Sequence, residues 1–589
     1  MEIASWMTSI MDMLKKLATG FTAGISLVAL AVPANAAALA EPPKPHKMGI
    51  DPLSLDDPAA IRAVYGPADK STQKAARAAA DDPTADARCG NPAADPVPDG
   101  EPIVVTMAPA APFTVGKIPA SMWRNPPVTD PTWRLNFEGL MWMKPLARRA
   151  AQDGQTESLN ALIQQAIAFH TQSPDPQTND YGWDEGTALR RLETLNCLFA
   201  LAKPPVTLLM SSMTANVNVL FGWRYYGPPN YPVHNHGLMA NLQLIRASEL
   251  VGNRPTWAQK GVDRIVDEAP ESFSKMGISF EQSSAYQGGN AVLWEQAAVA
   301  LEARGDNPAA ATAIRKTVND ALRAYSFMTE PDGIIPQIGD SDEVAGRPLD
   351  LKANRGLLDT DAGWAIGRFK SWTDPTVPHY TVRFGPPRRA HGHEDRAGGL
   401  TWSNQGVRIL VGPGRYSYDK TDMYSQYQTR ADGQNVAIPN GGTVQGGTST
   451  IASSYSETSH VFTVTDTVYG TPHTRGVTVN SDVPRLVVSD AFSAQSKWRQ
   501  QWHLDPEWVK SSGNVGENKV VYRHPTSGKF LTVTTTGTVV SLLRGSNDPR
   551  GPYGWHFPKF QVREPAWQMM IDNVSNRTVT TFWIADAPV

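Results

Sequence analysis

The chain has 589 residues, 41% of them hydrophobic and 19% charged, which suits a globular protein too long for one ordinary core, so two or more domains are expected. A net charge of −3 argues against a surface built for nucleic acid and supplies no overall field for polyanions, leaving that task to a local basic groove. Seventeen Trp and sixteen Tyr offer aromatic faces of the kind sugar-binding clefts use, although most such rings serve packing.

Lys15 and Lys16 precede the apolar run LATGFTAGISLVALAVPANAAALA, and Ala34-Asn35-Ala36 is an A-x-A cleavage pattern. Residues 1–36 are therefore expected to be a secretory signal that delivers a secreted protein. A membrane anchor is the competing reading, but the run contains Gly20 and Gly24 and falls short of the ~20 residues that a span needs. Export permits a disulfide, and with Cys89 and Cys197 as the two cysteines at most one intramolecular bridge forms. Spacing does not say whether they meet, and a cysteine-based metal cluster is excluded.

Residues 37–115 read as a Pro- and Ala-rich leader, partly structured, with a short helix around STQKAARAAA. From Trp133 the pattern turns helical through WRLNFEGLMWMKPLARRA, TESLNALIQQAIAFH, DEGTALRRLETLNCLFALA, VTLLMSSMTANVNVLFGW, LMANLQLIRASELVG, WAQKGVDRIVDEA, NAVLWEQAAVALEARG and AATAIRKTVNDALRAYSFM. Helices of similar length without intervening strands, and without a fixed repeat, predict an all-α domain over residues 116–345. Beyond it, TVRFG, GVRILVG, HVFTVTDTVYG, RLVVSDAF, KVVYRH, FLTVTTTGTVVSLL and RTVTTFWIA are β-branched, often alternate, and are separated by turn residues. Residues 346–589 are thus expected to form a large antiparallel β-sandwich, with the boundary near 345–362.

Four segments concentrate polar groups. In YPVHNHGLMANLQLIRASELVG, Asn235 stands where a helix begins and reads either as its cap or as a donor that holds a carboxylate. GISFEQSSAYQGGN places Tyr286 in a Gly- and Ser-rich connection before a helix, where packing is the ordinary role. GDSDE lacks the spaced ligands of a calcium loop and reads as a structural turn. HGHED, with His391, His393 and Asp395, has a workable metal-ligand spacing, while loop histidines are more often solvated or bonded to backbone.

In combination these segments resemble the heparinase II/III-like polysaccharide lyases. WDEGTALRRLETL, NHG after an aromatic run, FEQSSAYQ, IPQIGDSDE, AGWAIGRFKSW, HGHED and VSDAFSAQSKWRQQWHLDPEW occur in the family's order, over Trp133 to the C-terminus. The resemblance implies an incomplete (α/α) toroid followed by a layered antiparallel β-sandwich domain, with the active site in the groove where they meet. It implies cleavage of a uronate-containing chain by β-elimination and no redox cofactor. Asn235 and His236 are then expected to contact the uronate carboxylate, Tyr286 to be the catalytic tyrosine, and His391 the other acid/base partner. Trp223, Tyr226, Gln282 and Arg388 are candidate substrate-binding residues. For Trp223, Arg224, Tyr225 and Tyr226 helix-end packing remains an equal alternative, and for Arg388 and Arg389 a solvated turn.

Many relatives hold a structural zinc with the second His of His-x-His, an Asp in a later D-x-G turn, and a further His. Here the second His is His393, but Gly412 and Gln434 stand at the other two ligand-like positions, so no metal and no cofactor is expected and His393 becomes a hydrogen-bonding residue. The expected partner is an anionic polysaccharide or oligosaccharide, with no nucleic acid and no stable membrane insertion after signal cleavage. Two further readings are a glycoside hydrolase on an (α/α) toroid, with Glu281, Glu295, Asp340 and Asp342 as possible carboxylates, and a non-catalytic polysaccharide-binding protein.

Overall fold

A computed structural model of the chain describes residues 89–174, 176, 179–202, 206–222, 224–252, 254–305, 307–346, 356–369, 374–493, 497–548 and 551–589. The expected signal, the leader through residue 88 with its STQKAARAAA helix, and Trp223 lie outside the described residues. The described chain divides into two compact units, the first running to Ser272 and including Val292–Lys316, the second comprising Phe273–Ala291 and Thr317–Val589.

After a small ribbon (β1 Val104–Val105, β2 Phe113–Thr114) come α1 (Ala120–Arg124), α2 (Pro131–Glu138), α3 (Met143–Gln152), α4 (Thr156–Gln172), α5 (Glu185–Leu201), α6 (Thr207–Phe221), α7 (Asn235–Val251), α8 (Pro255–Glu268), α9 (Ser284–Arg304) and α10 (Pro308–Met328). Local chemistry sets the starts of several. Asp130 and Asp184 each accept a hydrogen bond from the backbone N–H three residues on, Trp133 and Thr187, both at 2.7 Å, and Pro131 occupies the first helical position of α2. WRLNFEGLMWMKPLARRA, expected as one helix, forms two. The chain turns at Leu140, which takes φ 56° while fully buried, and Arg191 bonds the Glu138 carbonyl at 3.0 Å, so tertiary packing overrides the local propensity.

α5 and α7 are buried along almost their whole lengths. Their polar interior positions are therefore paired: Asn196 of α5 donates to the Gln243 side chain of α7 at 2.9 Å. Cys197 of α5 is bonded to Cys89, so the two cysteines do meet, closing a loop with a sequence separation of 108.

The second unit is dominated by antiparallel sheets. Five strands form a meander in chain order: β3 (Leu357–Asp359), β4 (Trp364–Arg368), β5 (His379–Arg383), β6 (Gly399–Asn404) and β7 (Val407–Leu410). Then come α11 (Met423–Thr429), β8 (Ala437–Pro439), β9 (Ser449–Tyr455), β10 (Ser459–Asp466), β11 (His473–Asn480), β12 (Arg485–Phe492), β13 (Trp498–His503), β14 (Val509–Ser512), β15 (Lys519–Arg523), β16 (Phe530–Thr535), β17 (Thr538–Arg544), β18 (Ser546–Asp548), β19 (Gly551–Tyr553), β20 (Trp555–His556), β21 (Glu564–Pro565), β22 (Trp567–Asp572) and β23 (Arg577–Ala585). An eight-stranded sheet has the order β14-β15-β16-β23-β12-β11-β10-β9, and a four-stranded sheet the order β17-β22-β13-β8.

One hydrophobic core draws on all three larger sheets, with Tyr380 and Trp402 from the first, Phe462, Val477 and Leu486 from the second, and Trp502 and Met569 from the third. Each such side chain, fully buried, contributes about 1.5–3 kcal/mol relative to exposure. Buried charge adds specificity of register. His473 sits between Asp466 at 2.7 Å and Asp490 at 2.9 Å, and Arg475 grips Asp490 through Nε and Nη2, so slipping β11 against β10 or β12 would strand these groups without water.

Candidate active site

In the first unit, α7 begins inside the HNH segment. Its N-cap is His234, whose Nδ1 accepts from the His236 backbone N–H at 3.1 Å, and Asn235 is the first helical residue. Of the two readings of Asn235, the cap thus falls to its neighbour, although Asn235 Oδ1 also accepts from His236 N at 2.7 Å. That bond engages the amide oxygen as an acceptor. The rings of Tyr226, His234 and His236 pack mutually at 4.7–5.1 Å between centroids. Gly237 is required by close approach, because a Cβ there would meet the Tyr226 carbonyl at 2.0 Å.

The preceding loop is fastened by charge. Arg224 is buried and pairs with Glu185 and Glu268, while Glu185 Oε2 accepts from the backbone of Tyr225 at 2.6 Å and of Tyr226 at 2.9 Å. Arg224 is therefore a structural cation. Tyr226 is half-buried, and burial, with the negative charge of Asp184 added, pushes its hydroxyl pKa up.

In the second unit, Tyr286 lies in the first turn of α9 rather than in a connection before the helix. Ser283 Oγ accepts from the Tyr286 N–H at 3.4 Å, and Ser283, Ser284 and Ser341 exchange hydroxyl contacts at 2.9 Å, binding this helix start to the 338–341 turn. Gly288 and Gly289 do not end the helix, which runs on to Arg304, and the Gln287 side chain beside them bonds backbone groups of Ser279, Gly277 and Ala321 at 2.7–2.9 Å.

Tyr286 stacks on His391, ring centroids 3.5 Å apart and planes 10° from parallel. Its hydroxyl meets that of Tyr418 at 3.1 Å, and Tyr418 accepts from Arg415 Nη1 at 3.3 Å. Arg415 is in turn held by Asp342 through two bonds of 3.1 and 2.6 Å. Burial raises the Tyr286 pKa; Arg415 and the Tyr418 hydroxyl oppose that rise, and the net shift is upward. Tyr286 is accordingly a protonated phenol at neutral pH.

His391 lies in the β5–β6 loop. Its Nδ1 is 3.0 Å from Asp340 Oδ2, and its Nε2 is 3.7 Å from Glu281 Oε2. The backbone repeats the association, with His391 N bonded to the Glu281 carbonyl at 3.1 Å and Asp340 N to the His391 carbonyl at 2.8 Å. Gln282, in the left-handed region at φ 60°, spends its side chain on the same loop: Nε2 donates to the Pro387 carbonyl at 3.0 Å and Oε1 accepts from Arg389 N at 2.7 Å. Arg388 Nε donates to the Gly392 carbonyl at 2.6 Å. Both candidate substrate binders thus brace the histidine loop.

His393 is placed for hydrogen bonding and not for zinc. Its Nε2 is 3.0 Å from Asp340 Oδ1, and its Nδ1 faces the Gln434 amide nitrogen at 3.5 Å. At Gly412 a Cβ would meet the Gln337 carbonyl at 1.8 Å, so the backbone approach leaves no room for an aspartate ligand. These residues do not fit a zinc ion, and among the described residues no group of three or more His, Cys, Asp or Glu is arranged to hold a metal.

Sequence reasoning missed Tyr418 and Arg415 as neighbours of Tyr286, since nothing in GPGRYSYD marks them locally. The GDSDE segment is a turn, as expected, but its carboxylates are all engaged: Asp340 by two histidines, Asp342 by Arg415, and Glu343 by Arg408 at 2.7 Å and His556 at 3.3 Å.

No protein-family model matches the chain, and no curated protein matches its sequence. Solved structures do match. Heparinase III is 15% identical with a TM-score of 0.67, covering 81% of each chain. A heparan sulfate lyase HepC mutant from Pedobacter heparinus is 15% identical with a TM-score of 0.59, covering 88% of this chain and 90% of that one. A heparinase III, BT4657 gene product, is 14% identical with a TM-score of 0.57, covering 79% and 80%. The chain therefore has the heparinase III-like fold that the resemblance implied, with ten helices followed by antiparallel sheets among the described residues.

Proposed function

We propose that the protein is an exported polysaccharide lyase that cleaves a uronate-containing anionic polysaccharide by β-elimination, giving unsaturated uronate ends. The observation that carries this reading is the stacked Tyr286–His391 pair, a protonated phenol against an imidazole that is itself bound to a carboxylate. The heparinase III-like fold supports it.

The C5 proton of a uronate is weakly acidic because the adjacent carboxylate resists further negative charge. Asn235, through its amide, and His236 neutralise that carboxylate, so that charge developing on it as the C5–H bond breaks is stabilised. His391 takes the C5 proton, the electron pair forms the C4–C5 double bond, and the C4–O4 bond breaks. Tyr286, protonated at neutral pH, gives its proton to the leaving O4. Proton exchange with solvent restores both residues. Export is supported by the signal-like N-terminus and by the Cys89–Cys197 bond, which an oxidising compartment favours.

The test is incubation with a panel of uronate polymers while following ultraviolet absorbance of the unsaturated product. Growth of that absorbance is expected. Reducing ends without the chromophore would indicate hydrolysis, and binding with neither product would indicate a non-catalytic protein. N-terminal sequencing of the secreted protein is expected to begin after Ala36.

A further inference from the structure

We propose that Asp340 is a positioning residue that fixes His391 as the Nδ1–H tautomer, making Nε2 the nitrogen that exchanges protons, and that His393 and Gln434 serve this arrangement. The inference rests on the lyase reading only for its kinetic consequence.

The chain of hydrogen bonds has one consistent direction. The Gln434 side-chain nitrogen donates to the Gln428 carbonyl at 2.7 Å, and the same nitrogen faces His393 Nδ1 at 3.5 Å. An NH2 group offers only protons, so His393 Nδ1 is the acceptor and its other nitrogen, Nε2, carries the hydrogen. That Nε2–H donates to Asp340 Oδ1 at 3.0 Å. The second oxygen, Oδ2, lies 3.0 Å from His391 Nδ1 and completes the set by accepting from it.

An ionised carboxylate has no proton to give, so the hydrogen between Asp340 and His391 belongs to the imidazole. Burial alone would raise the Asp340 carboxyl, but the bonds from His391 and His393 outweigh it and hold the group well below the usual carboxylate range. In the opposite tautomer the lone pair of His391 would point at a carboxylate oxygen, where it could not receive a proton from substrate. Asp340 is 5% exposed and His393 2%, so water does not substitute for either bond. Gln434, standing where a zinc ligand would be expected, is then the far end of a relay.

The test uses the full chain labelled with 15N-histidine, read by long-range 1H–15N correlation at about pH 8.5, roughly two units above the pKa of a free imidazole. His391 signals are identified by their loss in His391→Gln. The wild type is expected to show the Nδ1–H tautomer at His391; an Nε2–H tautomer there overturns the proposal without any variant of Asp340. In Asp340→Asn the tautomers are expected to mix, with kcat lowered about a hundredfold or more and KM within about threefold of wild type. An unchanged His391 spectrum with unchanged kcat in that variant also overturns it. If the wild type cuts no polymer of the panel, the lyase reading fails while the spectrum still decides the tautomer.

Discussion

The molecule contains two His-x-His segments, His234-Asn235-His236 and His391-Gly392-His393, and they are held by different physics. In the first, support comes from nearby in the chain: His234 caps the helix that Asn235 begins, and Tyr226 packs against both rings. In the second, one carboxylate from 51 and 53 residues away bonds both imidazoles. Identical spacing therefore carries no role of its own. The partner that the fold delivers to each ring decides which nitrogen holds the hydrogen and which side chain can do chemistry.

Five substitutions, one of them followed through a pH titration, would break or sharpen that contrast. The largest effect is expected from Tyr286→Phe, which keeps the stack on His391 but removes the proposed acid; turnover of a cleaved polymer should fall about a thousandfold with unchanged circular dichroism. Wild-type-like turnover would sink the assignment. Asn235→Ala should lower kcat about a hundredfold, because the proposed carboxylate-stabilising donor is lost, and a change confined to KM would assign it to ground-state binding instead.

Cys89→Ser opens a closure of 108 residues and should destabilise the first unit by roughly 2 kcal/mol or more, read as a lowered denaturation midpoint. Equal midpoints with and without the bond would remove that assignment.

A shared carboxylate also occurs in the helical unit. Burial acts to raise the Glu193 carboxyl, but Lys144 at 2.6 Å and Arg190 at 3.2 Å prevail and hold its pKa at about 2, below the free value of 4.5. Its contribution is thus present above the unfolded pKa and is lost as pH falls through the folded one. Acid unfolding curves of the wild type and Glu193→Gln should differ above about pH 4.5 and converge towards pH 2, by on the order of 2 kcal/mol. A constant offset across that window would contradict it. The smallest effect is expected from His234→Ala, which removes a cap worth about 1 kcal/mol and should leave kcat within about twofold. A large loss of turnover would show that His234 does more than cap.

Much of the β region was legible because alternation is a local signal: RLVVSDAF, KVVYRH and RTVTTFWIA coincide with β12, β15 and β23. FLTVTTTGTVVSLL was not fully legible. It is one β-branched run, yet β16 joins the eight-stranded sheet and β17 the four-stranded one, because the chain changes sheets at Thr536-Gly537. The helical break at Leu140 was hidden for a related reason, since the turn there is packed by Arg191, a buried partner distant in sequence.

What the sequence determined by itself is the order of helices then strands and the resemblance carried by residues around Asn235, Tyr286 and His391. These follow from periodicity, turn chemistry and residue identity, all properties of short stretches. Tertiary structure alone decided that Asp340 bridges His391 and His393, that Tyr418 and Arg415 reach Tyr286, that Gln282 and Arg388 brace a loop, and that Gly412 admits no side chain. Hydrogen-bond partners act over about 3 Å, and only folding brings residues tens of positions apart within that distance.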